Sequence, residues 1–162
     1  MAVLDPNEIF YTAFEPKQSN RFILYMDGMP SYIIKGISPV TLNQGVVTLN
    51  HINVERKVKG KSVWQNITLT LFDPITPSGA QATMEWVRLH HESVTGRDGF
   101  ADFYKKDITF NVLDPVGAKV EEWKLFGCYV TKADFGDMSW EEDGTPMLVT
   151  LDIRFDYAVL NF

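Results

Sequence analysis

Three histidines and one cysteine are the side chains best suited to chemistry in this sequence. A metal site would need His51, His90 and His91 to converge with carboxylates. His90 and His91 are adjacent and therefore point in different directions on a helix, so we expect one on the surface and one satisfied against the core. Cys128 lies in an apolar, strand-like stretch, where a buried structural cysteine is expected. We therefore predict no metal, no cofactor and no catalytic nucleophile.

Two charged clusters are the other candidates for function. The acidic stretch runs from Asp134 to Asp143, and consecutive loop acids are usually solvated rather than tuned for acid–base catalysis. The basic run lies between Arg56 and Lys61 and suits either a phosphate backbone or an acidic protein neighbour. The candidate contact residues are Arg56, Lys59 and Lys61 in the basic run and Asp137, Glu141, Glu142 and Asp143 in the acidic stretch.

Length, charge and composition limit the class of protein. The chain has 162 residues, enough for one domain with a hydrophobic core, and its single cysteine cannot form an internal disulfide. The net charge of −6 disfavours general affinity for phosphate backbones. No apolar run is long enough to span a bilayer and the first residues do not resemble a signal peptide, so we expect a chain that begins near Met1, is made in the cytoplasm and does not insert into a membrane.

Strand-like patterns dominate the first half of the chain. We predict a short hairpin over residues 21–35 with a turn at Asp27-Gly28, then a long hairpin over residues 46–72 that reverses at Lys59-Gly60-Lys61. One face of the long hairpin is apolar, with Ile52, Val54, Ile67 and Leu69 packed inward. The less apolar face comprises Asn53, Glu55, Lys57, Asn66, Thr68 and Thr70.

One confident helix follows the long hairpin. Ser78 and Gln81 have the spacing of a capping box, which predicts a helix over residues 79–94. Strands are predicted over residues 106–113, 119–133 and 147–158, the last with clean alternation of apolar and polar residues. The sum is a mainly β fold, an antiparallel β-sandwich or barrel with one covering α-helix.

Residues 1–20 are predicted to form an N-terminal arm outside the domain of residues 21–162. Pro6 and Pro16 break any regular element, yet apolar side chains lie between them and need cover. These candidate inter-subunit contacts are Ile9, Phe10, Tyr11 and Phe14.

The order of these segments resembles the tube proteins of contractile bacteriophage tails. The resemblance covers nearly the whole chain and is carried by NRFILYMDG from Asn20, IKGISPVTLNQG from Ile34, the long hairpin, and a single helix with Trp86. Ser139-Trp140 before a final strand, LVTLDIRFDYA from Leu148, completes it. None of these segments is a catalytic signature.

The resemblance implies a structural virion protein without enzymatic activity. It would form hexameric rings, joined edge to edge into a β-barrel and stacked into a tail tube that delivers the genome inside a contractile sheath. Expected partners are further copies of the chain, the sheath, baseplate and tail terminator proteins, and, inside the tube, the tape measure protein and transiting DNA. The less apolar hairpin face would line a channel that the net charge predicts to repel DNA, and the basic run would meet the acidic stretch of an adjacent subunit.

Other interpretations of the sequence remain open. The same fold serves type VI secretion, tailocin and other contractile injection tubes, as well as tube-capping and baseplate homologues. A monomeric β-sandwich could instead bind a carbohydrate through Trp64, Trp86, Trp123 or Trp140. An enzyme is the least supported interpretation, because no catalytic constellation is present.

Overall fold

A computed structural model describes residues 15–161, and all structural statements below concern these residues. The predicted arm contacts Ile9, Phe10, Tyr11 and Phe14 lie outside them. The described chain forms two helices, α1 (Gly79–His90) and the short α2 (Ala101–Tyr104). Its nine strands are β1 (Phe22–Met26), β2 (Ile34–Ile37), β3 (Leu42–His51), β4 (Val54–Trp64), β5 (Ile67–Phe72), β6 (Lys106–Leu113), β7 (Lys119–Asp134), β8 (Leu148–Arg154) and β9 (Tyr157–Asn161).

Seven strands form one antiparallel sheet in the order β1-β6-β7-β8-β5-β2, and β9 pairs with β7. Alternating apolar side chains bury one face of β5 and β8, where Leu69 lies opposite Leu151 and both are inaccessible to solvent. The buried residues Leu24, Ile108 and Leu125 extend this core under β1, β6 and β7. The predicted fold class, mainly antiparallel β with one covering helix, is confirmed.

The long strand β7 changes partners along its length. Its first part pairs with β6 and β9, and its second part, from Tyr129, pairs with β8. The change occurs next to Gly127, whose φ of 67° is in the left-handed region. The Gly127 N–H donates to Asp107 Oδ1 (3.1 Å), and the Asp156 N–H donates to the Phe126 carbonyl (2.9 Å). The last predicted strand, residues 147–158, is correspondingly broken at residues 155–156 into β8 and β9.

The predicted hairpin over residues 21–35 is wrong. The turn at Asp27-Gly28 exists, with Gly28 at a φ of 81° and a bridge between Met26 and Met29. After it, however, residues 31–33 form a 3-10 turn that carries the chain away from β1. As a result β1 pairs with β6 and β2 with β5.

The predicted reversal of the long hairpin at Lys59-Gly60-Lys61 is also wrong. The chain reverses at Ile52-Asn53, and β3 and β4 pair with each other as a separate two-stranded sheet, while β5 joins the large sheet. Gly60 lies mid-strand in a bulge of β4, where Gly60 and Lys61 lie opposite Gly45. A Cβ on Gly60 would come within 3.1 Å of the Gly45 carbonyl carbon. This glycine permits the close approach of two strands rather than a turn.

Helix α1 begins at Gly79, as predicted. The Ser78 hydroxyl accepts a hydrogen bond from the Gln81 N–H (3.3 Å), and Asp73 Oδ1 accepts further bonds from the Gly79 and Ala80 amides (2.9 and 3.2 Å). The helix ends at His90, short of the predicted Val94, because His91 is already extended and bridges to Asp98. Its buried residue Trp86 donates from Nε1 to the Tyr104 carbonyl (2.7 Å), which fixes α2 against α1.

Gly127 gives a test of the partner change in β7. In Gly127→Ala the new Cβ would lie 2.2 Å from Asp156 Oδ2, in addition to the positive φ. We expect Gly117→Ala, which has positive φ but no neighbour within 4 Å, to lower the free energy of unfolding by about 1–2 kcal/mol. Gly127→Ala should lower it by about 1–3 kcal/mol more, because Asp156 must move.

The matched control is Gly36→Ala, in which φ is ordinary and no atom lies within 4 Å of the new Cβ. Its change should stay within about 0.5 kcal/mol. Urea unfolding of the three variants gives the comparison, and equal values for Gly127→Ala and Gly117→Ala would contradict the described packing.

Candidate assembly surface

The structure does not bring the three histidines together. His91 Nδ1 lies 2.8 Å from Asp98 Oδ1, whereas His90 packs edge-on against Tyr104 and burial, reinforced by His91, lowers its pKa. His51 is the last residue of β3, which belongs to the two-stranded sheet and precedes His90 and His91 in the chain by several elements. No group of three or more metal-ligating side chains is present in residues 15–161. The structure therefore assigns these histidines to packing and surface pairing.

Cys128 is a core residue, as predicted. Its side chain is inaccessible to solvent, and burial raises the pKa of the thiol to about 12. A nucleophilic cysteine needs an exposed, stabilised thiolate, and Cys128 has neither.

The β3–β4 hairpin has one apolar and one charged face. Residues that pair across the hairpin lie on the same side, so the register puts Val47 with Val58, and Leu49 with Arg56. The apolar face carries Val47, Leu49, Val54, Val58 and Val63 together with Arg56. The charged face carries Glu55, Lys57 and Lys59, together with Val46. Lys61 lies in the bulge opposite Gly45.

The apolar hairpin face has no cover among residues 15–161. Every residue of β3 is exposed, and in β4 only Gly60 and Trp64 are half-buried. Among the described strands, neither β3 nor β4 pairs with a third strand, so both outer edges of the hairpin are open. A two-stranded hairpin with one bare apolar face is marginally stable in water. Within the described part of the chain, this face is therefore a candidate for association.

The inward packing predicted for the long hairpin is only partly right. Ile67 and Leu69 are fully buried, but they belong to β5 in the large sheet. Ile52 and Val54 are exposed, because the turn lies at Ile52 rather than seven residues later. Their predicted inward packing is therefore wrong within the subunit.

The six predicted channel residues divide between two sheets. Asn53 lies in the hairpin turn, and Glu55 and Lys57 lie on its charged face. The other three lie in or just before β5: Thr68 and Thr70 alternate with buried leucines, and Thr68 Oγ1 donates to Asp152 Oδ1 (3.1 Å). Asn66 Oδ1 accepts from Arg154 Nη1 (2.9 Å).

The register divides the basic run. It lies along β4 rather than at a hairpin tip, with Arg56 on the apolar face, Lys59 on the face that also holds Glu55 and Lys57, and Lys61 in the bulge. One face cannot both line a water-filled channel and bind an acidic stretch on a stacked copy. The contact predicted for Lys59 and the channel position predicted for Glu55 and Lys57 therefore compete.

The acidic stretch is a solvated loop after β7. Asp137, Glu141, Glu142 and Asp143 are all exposed, and the loop is held by local bonds such as Thr145 Oγ1 to Glu142 Oε2 (2.9 Å). This agrees with the expectation that these loop acids are solvated. Sequence reasoning missed the apolar part of the same loop, where Met138 is exposed and Trp140 is fully so.

The four tryptophans do not form a shared ligand platform. Trp86 is buried under the helix, Trp123 stacks on Phe110 and Trp64 packs against Phe155. Trp140 alone of the four is fully exposed. This dispersion gives the carbohydrate-binding interpretation no support.

Comparison with known proteins identifies the family. The profile of the T4-like virus tail tube protein gp19 family matches residues 18–158. The chain belongs to this family. It is a tail tube protein of the contractile type, as the order of its segments predicted. No curated protein sequence matches it significantly, and no described helix is long and apolar enough to cross a membrane.

Solved structures with the same fold include a chain of a contractile injection system. A chain of the PVC extracellular contractile injection system, in its extended sheath–tube complex, is 15% identical with a TM-score of 0.72, covering 98% of the tail tube protein and 99% of that chain. A chain of the anti-feeding prophage tube-terminating cap is 15% identical with a TM-score of 0.74, covering 93% of both. Hcp1 from Flavobacterium johnsoniae is 16% identical with a TM-score of 0.54, covering 86% and 94%.

The open hairpin gives a test by hydrogen exchange. In the unassembled subunit we expect amides of β3 and β4 to exchange much faster than those of β5 and β8, because nothing covers the hairpin. Assembly should protect the hairpin amides while leaving β5 and β8 protected in both states. Strong protection of the hairpin in a monomer would contradict the described exposure.

Proposed function

We propose that this tail tube protein forms hexameric rings that stack into a tube, and that the β3–β4 hairpin is the element that closes each ring. The uncovered apolar face and open edges of the hairpin carry the proposal. The outer edge of β3 in one copy pairs with the outer edge of β4 in the next, and six hairpins close into a barrel. Closure removes edges that would otherwise template aggregation.

The charged hairpin face lines the channel. Within a barrel one face of each strand points inward to the channel and the other toward the subunit bodies. The apolar face, with Val47, Leu49 and Val58, gains most from burial against protein, which leaves Lys57 and its neighbours in water. Lys59 shares that face, so the proposal places it in the channel rather than against the acidic stretch. The inter-subunit contact of Lys61, which lies in the bulge, stays a prediction. Thr68 and Thr70 continue a polar surface from the large sheet.

The local charge of this face is opposite to the net charge of the chain. Two lysines, at positions 57 and 59, lie on the same face as the single acid Glu55. The expectation of a DNA-repelling channel came from the net charge of −6, which does not locate the acids. The hairpin instead supports a weakly basic wall.

The tube is a structural component of a virion and has no catalytic role. Its tail tube family supports a phage tail over a secretion machine. The proposed partners are a contractile sheath outside the tube, a baseplate and a terminator at its ends, and the tape measure protein and DNA within it. The N-terminal arm, with Phe10 and Phe14, binds a neighbouring subunit.

Electron microscopy of the purified full-length protein tests assembly. We expect six-fold rings or hollow tubes at high protein concentration, because hairpin burial requires neighbours. Light scattering on the same samples checks that the species are not aggregates. A strictly monomeric protein at all concentrations would refute the proposed function.

Cysteine labelling tests which hairpin face lines the channel. Lys57 and Val58 are adjacent and point to opposite faces, and both are exposed in the subunit. In assembled tubes we expect Lys57→Cys to react with a small water-soluble maleimide and Val58→Cys to be protected. The buried Cys128 makes the parent protein a low background. Protection of Lys57→Cys alone would reverse the assignment of the two faces. Equal reactivity of the two variants in tubes would refute it.

A further inference from the structure

The hairpin turn carries an unusual residue. Ile52 has a φ of 37°, and among residues 15–161 it is the only non-glycine residue with a positive φ. Its side chain is also 104% exposed, so nothing in the described part of its own subunit covers it. A β-branched residue is disfavoured in this backbone region, and two-residue hairpin turns normally use Asn, Asp or Gly there.

Two separate free-energy costs make isoleucine unfavourable at position 52 in an isolated subunit. The left-handed backbone strains the residue, and full exposure leaves an apolar side chain in water. Glycine would remove both costs at this position. An observed outlier of this kind points to a role outside the subunit.

A matching apolar groove lies on the body of the protein. It is lined by Ala80 and Met84 of α1 and by Phe135, Met138 and Met147, and its volume is about 420 Å³. An apolar cavity of about 150 Å³ already accommodates benzene, so this groove has room for more than one aliphatic side chain. Methionine side chains adapt their shape to an inserted group.

The charges around the two surfaces are complementary. Arg56 shares the apolar hairpin face with Val54, close to the turn. The groove is bordered by Asp73 and Glu85 as well as Arg88, and Asp134 and Asp137 line the adjoining cavity, which shares Met138 and Met147 with the groove. Acids therefore outnumber bases on the side where a basic hairpin would arrive.

We propose that Ile52 of one copy inserts into this groove on a copy in the adjacent ring, with Arg56 facing the acidic border. The proposal rests on the stacked tube described above and specifies its ring-to-ring contact. The contact joins two different surfaces, as head-to-tail stacking requires. The groove of the same subunit is excluded as the site, because Ile52 is fully exposed there.

Disulfide trapping tests the contact directly. In tubes of Ile52→Cys/Met84→Cys, mild oxidation should give a ladder of covalent multimers on a denaturing gel, because each copy links to the next. Ile75→Cys/Met84→Cys is the matched control, since Ile75 is an equally exposed isoleucine that does not line the groove. The control should give no ladder. Tubes that yield no ladder, or only an internal link within one chain, would overturn the contact.

A substitution separates this contact from ring formation. Asparagine tolerates the left-handed backbone, so Ile52→Asn should leave the thermal unfolding of the subunit unchanged or raise its midpoint. Loss of the buried side chain should raise the protein concentration needed for tubes by about tenfold or more, with single rings persisting. Ile75→Asn should leave that concentration unchanged.

The two proposals fail in different ways. If the parent protein forms neither rings nor tubes, the proposed function itself is wrong. If the parent forms tubes and Ile52→Asn polymerises like Ile75→Asn, the proposed tube function is retained and the role of Ile52 is refuted.

Discussion

The bare apolar face of the β3–β4 hairpin is the constraint on which the rest of the molecule depends. A subunit with Val47, Leu49 and Val58 in water is only part of a stable structure, since two strands cannot cover their own apolar face. Burial of these side chains then becomes a driving force for association rather than for folding. In a tail tube this separation is useful, because subunits can stay in solution until neighbours provide the cover.

The large sheet, unlike the hairpin, buries its apolar side chains within the subunit. It buries Ile67, Leu71 and Ile153 fully. Its two halves are joined where β7 changes partners beside Gly127, and Asp156 is held there by Lys105 Nζ at 2.9 and 3.0 Å. Because the large sheet is packed within the subunit, the conformational entropy lost on association is confined to the hairpin.

The sequence predicted elements better than their pairing. Strand β6 and the start of α1 follow local signals, namely alternation and the cap at Ser78, and both were predicted closely. The partners of β1 and β2 depend on contacts far apart in the chain, which no local pattern encodes. Gly60 was misread as a turn because a glycine that permits close strand approach has the same sequence signal as one that reverses the chain. The true turn at Ile52-Asn53 has an isoleucine at its first position, where a turn residue would be expected.

The predicted division of the hairpin into two faces is partly correct although its turn was misplaced. Side chains alternate with a period of two along any strand, wherever the chain reverses. Glu55 and Lys57 oppose Val54 and Val58 wherever the chain reverses. The sequence also predicted two clusters of opposite charge, but it could not predict that Arg56 lies on the apolar face, paired with Leu49, while Lys57 and Lys59 lie on the other face. Arg56 is therefore the basic residue that can approach the acidic border near Asp137 on another copy. Identical copies with unlike charges on different surfaces attract head to tail and repel head to head. A single exposed ion pair contributes only about 0.2–1 kcal/mol, but six copies repeat it around each ring, so polarity can be selected even where affinity comes from apolar burial.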